Sequence, residues 1–434
     1  MRTSATTRAV GRSGMLVAAL LASMSGDTGA DSIKQYGNTP EELRPYARFK
    51  RRPYKQFFVE PLEFLGPGRE KPEPDVDTVK IGLIAPLEMT HEDYIGTPML
   101  RGATMAIDQA NAEGGYDGKP FKLIVRNDTG LWGASANEVV GFSYEDKVWA
   151  IIGTVDGANT HIAIRVALKT EVPIMNVSDL DPTLVETKIP WVFRNTADDR
   201  QMAYTILYYV YKELGLNRVA MFRANNRYGR FGVAEFRKGS VRLGRPAPIE
   251  INYEVHYRKV NPDFAIQLDR LEDVKPEAVV LWADAEAAGH FVKALRERGL
   301  DMPVFACERV VNQRFLSIAG EAAEGVIATY PYNPEADIQA LKEFNTEYRR
   351  RYGKPPDTYA AHSYDGANMI VEAIREAGLN RYRIRDRLAS MRTWHGVTGT
   401  IRMDDAQSDR SPVIMATVKD GSWDYNEPVP QRRF

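Results

Sequence analysis

After Val79 the chain alternates short apolar runs with stretches whose apolar residues recur every third or fourth position. KIGLIAPL precedes RGATMAIDQANAE, FKLIVRND precedes ASANEVVGFSYED, VWAIIGTV precedes NTHIAIRVALKT, and VPIMNVS follows. Short β-rich runs between amphipathic helices predict a parallel sheet covered by helices on both faces. A second series repeats the pattern: a helix from Arg200 to Leu214, RVAMFRAN, a helix near Phe231 to Arg242, EINYEV, a helix near Phe264 to Asp273, AVVLWAD, a helix from Glu286 to Arg298, and PVFACE. In the helix from Arg200, residues Ala203, Ile206, Leu207, Val210, Tyr211 and Leu214 share one face, and Gly215 supplies a left-handed cap. That stripe is packing surface.

The section from Ala336 begins no new domain. It holds helices over Ala336 to Tyr352 and His362 to Ala377, a shorter one near Ile384 to Met391, and the strands GTIRM and VIMATVKDG. The pattern as a whole predicts an α/β protein of two Rossmann-like lobes with parallel central sheets, joined by a hinge of three crossings near Thr196, Tyr330 and Gly399. The first lobe is assigned to 77–197 with 331–398, and the second to 198–330 with 399–434. A hinge made of several strands bends without unfolding.

The segment before the first strand reads differently. Residues 31–76 are rich in Pro, Arg and aromatics and keep neither helical nor strand periodicity, which predicts an extended arm; Phe57, Phe58, Phe64 and Leu65 predict that part of it docks. In residues 1–30, Arg2, Arg8 and Arg12 precede the apolar run Met15 to Ala22, and small residues follow to Ala30. That order is a signal peptide's and predicts export to the periplasm with cleavage near Ala30. The apolar run falls far short of the roughly 20 residues of a membrane span, so no membrane insertion is expected.

Charge and chemistry narrow the function by exclusion. Lys plus Arg number 57 against 58 for Asp plus Glu, so no strong field draws the chain to nucleic acid or to an anionic membrane. The one cysteine, Cys307, rules out an intramolecular disulfide and a Cys-rich zinc site, and its apolar neighbours predict a buried, inert thiol. Phosphate-loop, nucleophile-elbow, zinc-protease and dinucleotide signatures are absent from the sequence. The six histidines never pair at helical spacing. No enzyme, cofactor or metal is expected. What recurs is a strand, a Gly/Ser/Asp loop and a helix: Gly153 to Ala158, then Asn176 to Pro182. Ligands of open α/β sheets sit at such strand ends, where helix N–H groups bind electron-rich groups. Asp181 before Pro182 also reads as an ordinary N-cap.

From Val79 to Trp423 the ordered segments resemble the leucine/isoleucine/valine-binding family of periplasmic substrate-binding proteins. The marks are IGLIAPL followed by Gly96, Gly102 and Ala103, then AIDQANAEGG, the strand end Ile151 to Gly153, PIMNVS, the Tyr-Gly of ANNRYGRFG, and AGEAAEGVIATYPY. The resemblance implies a clamshell that captures a small polar ligand (an amino acid, amide or amine) between its lobes and delivers it to an inner-membrane ABC permease. A sensing module reporting to a separate receptor is the alternative. By the same resemblance, Glu308 lies against a ligand ammonium, Tyr359 precedes the crossing helix, and Tyr228 sits at the cleft edge. The serine that grips the ligand carboxylate falls on Gly157, the loop threonine on Leu180 and a second-lobe tyrosine on Asp284. Two hydroxyl clamps are therefore missing. Backbone amides at Ala158 and Asn159 remain to meet a carboxylate, while Asp156, Asp179, Asp284 and Glu308 oppose one. Ser178, in the same loop as Asp179, completes the candidate set. Asp156 and Asp284 fit two roles equally, helix cap or ligand contact.

Overall fold

The structure is a computed structural model that describes residues 64–256, 259–260 and 263–425. The expected leader, and the arm up to residue 63, lie outside the described residues.

In the first lobe, β1 (Val79–Ala85), α1 (Asp93–Ala112), β2 (Phe121–Asn127), α2 (Trp132–Gly141), β3 (Ile151–Ile152), α3 (Gly157–Thr170), β4 (Ile174–Asn176), α4 (Thr183–Glu186) and β5 (Val192–Arg194) follow in turn. Their strands form a parallel sheet in the order β2-β1-β3-β4-β5. Val79, Ile81 and Leu83 of β1 pack against Met99, Ala103 and Ile107 of α1, while Ile84 turns to the opposite face with Phe142 and Ile164. Burial on both faces is why these strands read as continuous apolar runs.

The second lobe runs α5 (Asp199–Tyr208), β6 (Val219–Ala224), α6 (Arg227–Arg242), β7 (Ile249–Tyr253), a ribbon of β8 (Val255–His256) and β9 (Lys259–Val260), α7 (Ala265–Val274), β10 (Ala278–Trp282), α8 (Ala285–Glu297), β11 (Val304–Ala306), α9 (Gln313–Ala319) and β12 (Ile327–Tyr330). The helix expected from Arg200 to Leu214 ends early in regular form. A π turn, Tyr209–Glu213, takes its last part, so Leu214 swings off the apolar stripe and stands 43% exposed, while Gly215 keeps the left-handed cap conformation.

The chain then returns through α10 (Gln339–Tyr352), α11 (Thr358–Ala377) and α12 (Arg381–Ser390), makes a hairpin of β13 (Thr393–Gly396) and β14 (Gly399–Arg402), and ends in β15 (Ile414–Lys419) and β16 (Ser422–Asp424). The last two strands join the second sheet, ordered β16-β15-β12-β11-β10-β6-β7, with β15 antiparallel to β12. Helix α11 belongs to the first lobe: a Cβ at Gly102 of α1 would lie 2.0 Å from the Ala360 carbonyl oxygen, so only glycine lets the two helices approach. The third crossing runs between Arg402 and Ile414, downstream of Gly399 and of the hairpin turn.

The first and third crossings are bound by buried charge. The Asp198 carboxylate accepts from Arg194 Nη2 (3.0 Å), Arg200 Nη2 (2.5 Å) and Arg410 Nη1 (3.0 Å), and Arg410 Nε also donates to Asp404 (2.6 Å). Burial opposes that charge, but the three guanidiniums hold the Asp198 carboxyl far below its ordinary range. Backbone bonds from Arg194 N to Gln407 O and from Asp409 N to Arg194 O, both 2.9 Å, complete the junction.

The described end of the arm straps the first lobe. The Phe64 ring meets Trp191 edge-on at 5.1 Å and stacks on Tyr382 at 6.0 Å, Asn380 Nδ2 donates to the Gly68 carbonyl (2.9 Å), and Glu73 joins Arg383 (3.1 Å) and Tyr116 (2.6 Å). The docking expected of Phe64 and Leu65 is divided between them, since Leu65 remains 86% exposed.

Candidate functional site

The strand-end loops of the first lobe turn inward. Asp156 is the N-cap of α3, and its Oδ1 accepts from the Ala158 amide at 2.8 Å, so that amide already has a protein acceptor. A Cβ at Gly157 would lie 2.8 Å from Asp181 Oδ2 and 3.0 Å from the Arg227 side chain, which excludes a serine there without displacement. Ser178 Oγ donates to the Thr154 carbonyl (2.9 Å). Asp179 accepts from Thr160 Oγ1 (2.5 Å) and from the Asp181 amide (3.0 Å), and burial pushes its carboxyl up to about 8. Leu180 packs among Met202, Tyr228 and Trp282 of the second lobe.

The remaining candidates gather around a residue that sequence reasoning passed over, Arg309. Asp284 precedes α8 but makes no capping bond; its Oδ1 accepts from Arg309 Nη1 at 2.6 Å. The same Nη1 donates to Glu92 Oε1 of the first lobe at 3.0 Å. The guanidinium lies 3.9 Å over the Tyr228 ring centroid. Glu308 Oε2 accepts from Tyr228 (3.3 Å) and from the buried Cys307 thiol (2.6 Å). Its Oε1 has no hydrogen-bond partner among the described residues and lies 3.9 Å from Arg309 Nε. Buried beside this cluster, the Tyr359 hydroxyl and both Asp199 carboxylate oxygens are equally without partners. Burial raises the Glu308 carboxyl, and burial together with the Glu308 charge raises that of Asp199 well above the usual range.

These groups come from both lobes. At one rim His91 Nε2 stands 3.4 Å from Asp284 Oδ2, the Tyr94 hydroxyl accepts from the Ala285 amide (3.4 Å), and Arg314 reaches Asp93 (3.4 Å). At the other rim Arg227 donates to Asp181 Oδ2 (2.5 Å) and to Thr183 Oγ1 (3.0 Å). Burial depresses the His91 imidazolium, but Asp284 outweighs it and lifts the group to about 9. His91, Glu92 and Asp284 also bring three potential metal-ligand atoms within 4.8 Å of one another. Both carboxylates already share the Arg309 cation, and we assign no metal to them. His91, Glu92, Asp199, Arg227 and Arg309 carried no motif. The one local sign was Arg309 itself, a charge inside the first turn after a buried strand.

Two α/β lobes clasping each other through charged side chains at the carboxyl ends of their strands define a two-lobed ligand-binding protein. The family model for periplasmic binding proteins matches residues 78–422, and the chain belongs to that family. It is 27% identical over 315 residues to the Leu/Ile/Val-binding protein homolog 3 of Brucella melitensis, covering 69% of this chain and 79% of the relative. The fold is similar to that of the leucine-binding protein LivK of Thermotoga maritima (TM-score 0.73, 24% identity, 80% of this chain and 97% of that one). It is also similar to that of a solute-binding protein of an ABC transporter from Rhodopseudomonas palustris, solved with 3,4-dihydroxybenzoic acid (TM-score 0.70, 24% identity, 80% and 95%). Among the described residues no helix is long and apolar enough to cross a membrane.

Proposed function

We propose that this protein is exported to the periplasm, captures a small polar ligand between its lobes and delivers it to an ABC permease. The observation that carries the reading is the set of buried polar atoms at the lobe junction with no hydrogen-bond partner among the described residues: Glu308 Oε1, the Tyr359 hydroxyl and the Asp199 carboxylate. A buried acceptor left unpaired costs about 1–3 kcal/mol, so a ligand that pairs several at once stabilises the clasped form. The lobes bind and the hinge closes; no covalent step is needed. Closure follows from differential affinity of the ligand for the clasped form. Delivery rests on the name under which the Rhodopseudomonas palustris neighbour was solved, a solute-binding protein of an ABC transporter.

A thermal-shift screen of the purified mature protein across amino acids, amides, amines, polyols and aromatic acids tests the reading. A true ligand at about a hundred times its Kd adds about 2.7 kcal/mol. Mass spectrometry of the periplasmic fraction is expected to find a chain beginning near Asp31. An intact Met1 in the cytoplasm refutes export, and a screen with no shift refutes ligand capture.

A further inference from the structure

Arg309 has more donors than the protein uses. Its Nη1 is shared by Glu92 and Asp284, and the Tyr228 ring lies under the guanidinium at 3.9 Å. Nε and Nη2 form no hydrogen bond among the described residues, although the side chain is only 3% exposed. Those two N–H groups point the same way and make the fork that matches the two oxygens of a carboxylate. Beside the fork lies Glu308 Oε1, 3.9 Å from Nε, too far for a direct bond and with no hydrogen-bond partner among the described residues. A donor edge and an acceptor thus stand side by side, each unfilled.

At the positions of the missing hydroxyl clamps and at the Ala158 amide, the first lobe has no free anchor for a carboxylate. Gly157 and Leu180 have no hydroxyl, the space over Gly157 belongs to the pair Arg227 and Asp181, and the Ala158 amide is held by Asp156. Arg227 has already given Nε and Nη2 to Asp181 and Thr183. On the ligand-capture reading above, we infer that Arg309 is the carboxylate anchor of the site, standing in for the hydroxyl clamps that Gly157 and Leu180 lack. The carboxylate takes the Nε and Nη2 fork, and Glu308 Oε1 keeps the role toward the ligand's donor that the family resemblance already implies. Glu92 and Asp284 hold the far side of the guanidinium and so position it.

Calorimetry with L-leucine and L-phenylalanine, their decarboxylated amines 3-methylbutylamine and 2-phenylethylamine, and benzoate, which lacks the adjacent donor, tests the assignment. The better amino acid is expected to bind about tenfold or more tighter than its amine and than benzoate. Arg309→Lys keeps the charge beside Glu92 and Asp284 but loses the fork, and it should shrink the preference over the amine to about threefold or less. Arg309→Met should erase it. Glu92→Gln, which loosens the lobe contact and spares the fork, should weaken all probes alike and leave the preference in place. Melting of each variant without probe shows that it folds. An amine that binds the wild type as well as its amino acid, or an unchanged preference in Arg309→Lys, overturns the anchor. If only polyols or other compounds of the wider screen bind, the anchor fails and ligand capture stands; if nothing binds, both fail.

Discussion

Replacing His91 by glutamine removes a titrating group that joins the two lobes at the Asp284 rim, beside Glu92, whose carboxyl burial lifts to about 7. In the clasped form its imidazole faces Asp284 at 3.4 Å, with Glu92 and Arg309 beside it and the Arg314 guanidinium at its backbone carbonyl. Burial lowers its basicity and Asp284 more than restores it, so the group titrates at about 9 rather than at the ordinary 6.5. With the lobes apart, Asp284 is gone from its side and the ordinary value returns. The folded, clasped value is the higher one, so the imidazolium's contribution to closure is complete below about pH 6.5 and is lost as pH rises through about 9. At about 1.4 kcal/mol per unit, that interval sets a ceiling of about 3.5 kcal/mol; water still reaches the ring, and about 2 kcal/mol is the expected effect. A change of that size moves the clasped-to-open ratio about thirtyfold. Small-angle scattering from pH 8 to 9.5, above the Glu92 titration at about 7, is expected to show the radius of gyration rising in the wild type and rising less in His91→Gln, while the His91 ring protons titrate near 9 by NMR. A ring that titrates near 6.5, or the same scattering profile in both proteins, refutes the argument.

Three further outcomes follow from other contacts. Asp198→Asn strips three buried guanidiniums of their common carboxylate; Arg200 keeps Glu186 and Arg410 keeps Asp404, so the loss should sit near about 3 kcal/mol by chemical denaturation. Because the Asp198 carboxyl is depressed in the folded chain, its contribution holds above the ordinary carboxylate range and disappears in acid; the variant should therefore lose less stability than the wild type below about pH 4. Glu308→Gln should weaken ligand binding by about 1.5–3 kcal/mol in calorimetry, with little change in the melting point of the protein alone, and an unchanged affinity would return this carboxylate to a structural role. Phe64→Ala removes a half-buried ring held by Trp191 and Tyr382 and should cost about 1–2 kcal/mol of first-lobe stability in a thermal melt, whereas no loss would mean that the strap is not held by this ring.

The lobes were legible because the central strands are apolar on both faces and the helices beside them on one, a local pattern that tertiary context did not override. Leu214 shows the limit: a π turn adds a residue to the helical repeat, and no periodicity announces it. At the site, the strand-end loops could be placed from sequence, and so could Tyr228, Asp284 and Glu308. Their partners could not. Glu92 and Arg309 are separated by 217 positions, and only the meeting of two lobes gives either of them a role. The acids at Asp156, Asp179 and Asp284 looked like one negative field. At least one oxygen of each is instead spent, on the Ala158 amide, on Thr160 and on Arg309, while Glu308 Oε1 and both Asp199 oxygens have no hydrogen-bond partner among the described residues.

The junction at Asp198 bears on how such a protein can move. Two of the three connections between the lobes share one fully buried carboxylate and a pair of backbone bonds, so they cannot slide past each other without exposing charge. Sliding is the soft coordinate of a shear, and here it is stiff. What stays soft is a swing of one lobe about the line that these two segments define, with the second crossing, between Tyr330 and Thr358, following through the helix α10. The clamshell is thereby a door with a single axis, and every ligand that fits must fit the same arc of closure.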